Sequence, residues 1–173
     1  MIFTNKKKLV ALFVLIFLLV ILFLLLPEPE VKTSFVTNVT VEKTENPFFV
    51  YETINYPTNV RIIKLENKSN ITVGIVGDPW NLNFGFVPIG IESRRFINLA
   101  NYKEQNYRVE IKAYGNISPM ISFDKSNIIL HKGDELKVTV LLNSTLSPKI
   151  GNFTGEIDIV SKGAKFSFLD VFL

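Results

Sequence analysis

Six triplets of the form Asn, any residue but Pro, then Ser or Thr begin at Asn38, Asn67, Asn70, Asn116, Asn143 and Asn152. The chemistry such a triplet serves is attachment of a glycan to the Asn side chain, which requires an acceptor facing water. About two triplets are expected from random order at this content of Asn, Ser and Thr, so six is an excess. Asn67 and Asn70 stand back to back in "ENKSNIT", and all six lie after residue 27.

Other chemistry is sparse. There is no Cys, which removes thiol nucleophiles, disulfides and Cys-ligated metals and leaves the fold to its apolar core. His131 is the sole His; within "LHKGDEL" it reads as a turn or strand-end residue, because a metal or acid–base role needs partners the spacing does not supply. Asp78 and Trp80 in "GDPW" could form a carbohydrate or calcium site, yet Asp-Pro opens turns and a Trp leading into a strand caps a core. No Gly-rich phosphate loop and no Ser/His/Asp arrangement is visible. The expectation is a protein that is not an enzyme, with no catalytic, cofactor-binding or metal residues and no small-molecule substrate.

The elements that must carry the acceptors divide the chain. Residues 9–26, "LVALFVLIFLLVILFLLL", hold no polar side chain. Eighteen residues at about 1.5 Å each approach the ~30 Å hydrocarbon thickness of a bilayer, so a transmembrane helix is expected there. A cleaved signal peptide would end in small residues, whereas this run ends "LFLLLPEPE". Lys6, Lys7 and Lys8 abut the run and Glu28 and Glu30 follow it, which predicts a cytoplasmic N-terminus and an extracytoplasmic remainder. Outside those three Lys the charges balance, so the overall basicity is no nucleic-acid footprint. The expected organisation is a basic stub at 1–8, the span at 9–26, a linker at 27–34, additional strands at 35–79 and a main domain at 80–173.

Beyond the apolar run the period is two, predicting an all-β ectodomain. In "YRVEIKAY" residues 107, 109, 111 and 113 share a face; in "ELKVTVLL" residues 136, 138, 140 and 142 do so, as half-buried antiparallel strands would. "SFVTNVTVEK" alternates so that Asn38 faces outward, and "ENKSN" separates two β-rich runs as a hairpin turn would. Further strands are expected at "RRFINLA", "NIILH", "GEIDIV" and "KFSFLDVFL". The last places Phe166, Phe168 and Phe172 on one face, either as a final sandwich strand or as an exposed edge that adds to a partner's sheet.

The runs "LNFGFVPIG" (82–90), "RRFINLAN" (94–101), "YRVEIKAYG" (107–115), "ILHKGDELKVTVLL" (129–142) and "GNFTGEIDIV" (151–160) together resemble the immunoglobulin-like β-sandwich domains of the major-sperm-protein and ASH (HYDIN-like) type. The resemblance covers about 80–173, and "NYKEQN" departs from the Asn-x-Gly common after that family's second strand. It implies an immunoglobulin-like antiparallel β-sandwich and no catalysis. The functional expectation is therefore a single-pass, membrane-anchored glycoprotein of the cell envelope whose sandwich binds or scaffolds a protein partner. The skew of Lys over Arg, with N-glycosylation, fits an archaeal source. An accessory or stator-like component of an archaellum or pilus machine stands as the alternative.

Overall fold

Val138, Val140 and Leu142 are buried while the residues between them are half-buried, and Tyr107, Val109 and Ile111 repeat the pattern in a second strand. Two such faces turned inward close a core, because each Val, Leu or Ile taken from water contributes about 1.5–3 kcal/mol. The computed structural model describes residues 3–24, 32–64, 81–146 and 149–173. They form two compact units, Met1–Thr33 and Ser34–Leu173.

The first unit holds helix α1, Phe3–Leu24. Its backbone takes in Lys6, Lys7 and Lys8 within the helix, and Lys6 and residues 8–18 are exposed. Among the described residues no helix is long and apolar enough to cross a membrane, which corrects the expected transmembrane helix at 9–26. The orienting role expected of Lys6, Lys7 and Lys8 depended on that span and is not carried further.

The second unit is a two-sheet, mostly antiparallel β-sandwich. Its strands are β1 (Thr40–Glu45), β2 (Phe49–Ile63), β3 (Leu82–Pro88), β4 (Glu92–Ala100), β5 (Tyr107–Gly115), β6 (Ile121–Phe123), β7 (Asn127–Leu130), β8 (Glu135–Asn143) and β9 (Gly151–Ala164). One sheet runs β1-β2-β9-β5-β7, with β3 also on β2; the other runs β4-β8-β6. Long β2 shares one edge between two partners, antiparallel β1 against 50–55 and parallel β3 from Thr58 onward. Pro57, which has no N–H to donate, falls at the switch between them. Gly85 sits at φ 68° where the β2–β3 register slips, a bulge that needs a residue without a Cβ.

Residues 34–39 precede β1 as an irregular strap rather than as part of the strand expected from Phe35 onward. The Val36 N–H donates to Glu156 Oε2 at 2.7 Å. Glu156 and Asp158, 1% and 4% exposed, alternate along β9 with the core residues Ile157 and Ile159, so they face away from the core. The strap is what takes Glu156 out of water.

The sandwich has two ends. At one, β5 and β9 meet at Gly115 and Gly155, and β4 and β8 meet at Glu92 and Asn143. At the other, β2 meets β9 at Phe49 and Ala164, and β5 meets β7 at Tyr107 and Leu130. The β9 run between them spans about 30 Å at ~3.3 Å per residue.

Candidate functional site

The Asn-x-Ser/Thr triplets among the described residues gather toward the first end. Asn116, exposed in the turn after β5, accepts the Thr154 N–H on Oδ1 at 2.7 Å, so its carboxamide braces the third residue of the Asn152 triplet. Asn152 is exposed on β9 opposite Arg61. Asn143, half-buried at the end of β8, accepts the backbone N–H of Thr145 at 3.0 Å and that residue's hydroxyl, both from its own triplet. The middle residue of that triplet, Ser144, is fully buried, with Oγ 2.7 Å from the carbonyls of Pro88 and Ile91. Asn38 is exposed on the strap that leads to Glu156. Asn67, Asn70 and the "GDPW" residues Asp78 and Trp80 lie outside the described residues.

The opposite end is built differently. The segment expected as a strand, "KFSFLDVFL", is instead a 3-10 helix over Ser167–Phe172. The strands it would have joined end at Phe49 and Tyr107, leaving no backbone to pair with, and local i to i+3 bonds replace the ladder: Leu169 N–H to the Phe166 carbonyl at 2.9 Å, Leu173 N–H to that of Asp170 at 3.2 Å. Phe166, Phe168 and Phe172 are exposed, Phe168 at 71%, and the first two rings stack at 5.7 Å. The Lys165 N–H donates to the Phe48 carbonyl at 2.8 Å, which brings a fourth exposed ring to this end.

Next to the rings two cations face each other. Arg108 on β5 and Lys162 on β9 are direct cross-strand partners. Lys162 Nζ lies 4.1 Å from the centre of the Phe49 ring and donates to the Phe172 carbonyl at 2.7 Å. Arg108 Nε donates to Asn127 Oδ1 at 2.9 Å. Burial, and then the neighbouring guanidinium, hold the Lys162 ammonium below its ordinary pKa. The loop lysines of this end are paired: Lys103 with Glu52 at 3.0 Å, Lys165 with Glu45 at 3.3 Å, and Lys132 with Glu104. The Glu52 hydrogen bond raises the Lys103 pKa, and hydrogen bonding to Glu135 raises that of the Tyr102 hydroxyl.

A cleft of about 280 Å³ opens between the sheets near this end, walled by Ile54, Leu99, Val109 and Ile159. Its single carboxylate, Glu52, is the one bonded to Lys103. His131 is exposed in the turn after β7, its backbone N–H donating to Asp134 Oδ2 at 2.8 Å and its ring Nδ1 lying 3.2 Å from Asn106 Oδ1. Among the described residues no cluster of three metal-ligating side chains occurs.

Alternation in "YRVEIKAYG" puts Arg108 on the outward face, and the pattern of "GEIDIV" continued two residues on does the same for Lys162, but only the β5–β9 register makes them neighbours, and register is invisible in either strand alone. The fold and its two ends define a two-sheet β-sandwich with Asn-x-Ser/Thr triplets toward one end and a cluster of exposed Phe rings beside the Arg108–Lys162 pair at the other. No family model, curated protein or solved structure matches the chain.

Proposed function

We propose that residues 34–173 are a non-catalytic, immunoglobulin-like binding or scaffolding module of the cell envelope, extracytoplasmic and N-glycosylated, that presents its far end to a protein partner. The observation that carries this reading is the segregation of the two surfaces. Asn116, Asn143 and Asn152 share one end, where Phe86 is the exposed ring, and Asn38 sits on the adjoining strap, while the four exposed rings of Phe48, Phe166, Phe168 and Phe172 gather about 30 Å away along β9, by ~3.3 Å per residue. Glycans are bulky and solubilising, so a surface that must dock is kept clear of them. Large exposed apolar patches on a folded domain mark interaction sites. The two-sheet architecture also supports the finer likeness to immunoglobulin-like domains of the major-sperm-protein type, in which the sandwich serves as a scaffold.

The test is protease treatment of intact source cells followed by glycopeptide mass spectrometry. The reading expects fragments of 34–173 to be released and to bear sugar on Asn38, Asn116 or Asn152. A domain that stays protected and carries no sugar on any acceptor contradicts it.

A further inference from the structure

Lys162 and Arg108 are an arrangement that costs stability. Like charges directly opposite on neighbouring strands repel, and among the described residues neither has a carboxylate within ion-pair distance, although Lys103, Lys132 and Lys165 at the same end each have one. Lys162 is held in place by the Phe49 ring and the Phe172 carbonyl, so the ammonium cannot swing away from the guanidinium without losing both contacts. The 3-10 helix that supplies this carbonyl also carries Phe168 and Phe172. Two unneutralised cations thus border a set of exposed aromatic rings.

We propose that this end docks an acidic, apolar peptide segment of a partner protein, its hydrophobic side chains on Phe48, Phe166, Phe168 and Phe172 and a carboxylate between Lys162 and Arg108. This rests on the binding-module reading and names the partner's chemistry. Charge complementarity selects the occupant. A carboxylate at the pair relieves the repulsion and makes charge-assisted hydrogen bonds, bidentate from Arg108. An anionic bilayer fits less well, because Glu45, Glu104, Asp134, Glu135 and Asp170 ring the same end and would meet lipid phosphates. A point contact with one or two carboxylates suits this mixed field; a sheet of negative charge does not.

The probes are fluorescein-labelled octapeptides alternating Phe or Leu with Glu, with Lys or with Ser, titrated against the full chain. The expected result is at least tenfold tighter binding of the Glu series than the Lys series. Phe168→Asp should abolish it, and Lys162→Glu with Arg108→Glu should reverse the preference toward the Lys series, a gain that an unfolded variant cannot produce. Equal binding of both series, no binding of the Glu series, or a charge-reversed variant with unchanged preference overturns the proposal. So does binding to phosphatidylserine vesicles without preference among peptides, which would make the face a lipid site, or self-association abolished by Phe168→Asp, which would assign it to a second copy. Any of these on a chain whose acceptors carry sugar leaves the binding-module reading standing; sugar-free acceptors and a protease-protected domain contradict that reading instead.

Discussion

A Cβ placed on Gly155 would lie 2.0 Å from the carbonyl oxygen of Tyr114, and one on its register partner Gly115 would lie 2.6 Å from the Gly155 Cα. The two glycines let β5 and β9 close together where the acceptor-bearing turn leaves the sheet. Phe35 of the strap comes within 3.2 Å of the Gly115 Cβ position, so the same approach seats the strap.

Gly155→Ala is therefore expected to destabilise the sandwich by about 1–3 kcal/mol, the usual cost of overpacking when backbone must move. Chemical denaturation of wild type and variant measures it. An unchanged unfolding midpoint would mean that the strands part at no cost.

Ser144 ties the turn between β3 and β4 to the end of β8: its Oγ accepts the Ile91 N–H at 2.9 Å and lies 2.7 Å from the carbonyls of Pro88 and Ile91. Ser144→Ala leaves the Asn143 triplet intact but strands these buried groups. The expected loss is about 1–3 kcal/mol, with sugar on Asn143 unaltered. Thermal melting and glycopeptide mapping separate the two effects.

Much of this fold was legible in the chain. The alternation in "YRVEIKAY" and "ELKVTVLL" marks β5 and β8, whose inward residues are the core. "KFSFLDVFL" alternates equally well, yet alternation describes a strand only where a neighbouring backbone is free, and β2 and β5 end before it. "GEIDIV" shows its pattern plainly, but not that Glu156 and Asp158 would be buried on the outer face, since the strap over Glu156 comes from 120 residues away. The acceptor triplets could be read directly; their gathering toward one end, and the meeting of Arg108 with Lys162, exist only in the register. The apolar run 9–26 marks helix, and its extension back through the lysines is not visible in hydropathy alone.

The Lys162–Arg108 pair carries a pH signature. The folded chain holds the Lys162 pKa below its ordinary value of 10.5. Between the two values the unfolded chain binds more protons, so this group's effect on stability becomes more favourable as pH rises through that window. Arg108→Gln removes one of the two causes. The Lys162 midpoint, followed by NMR at the side-chain ε carbon, should rise, and the melting temperature near neutral pH should hold or increase while binding of the acidic peptides weakens. A falling midpoint contradicts the electrostatic account.

Glycan occupancy should follow exposure. Asn38, Asn116 and Asn152 are exposed, whereas Asn143 is half-buried and held by its own Thr145. Glycopeptide mass spectrometry of protein from the source cells is expected to find lower occupancy at Asn143 than at the other three. The reverse order would show that modification precedes folding of this end.

The far end is expected to meet the partner, and the end bearing the Asn-x-Ser/Thr triplets is not. The most direct measurement places a photo-crosslinking amino acid at position 168 or position 152 of the full chain in intact cells and sequences the crosslinked peptides. Adducts from position 168 on an acidic, apolar segment of one protein, with none from position 152, are the result predicted. Adducts from position 152 and none from position 168 would contradict it.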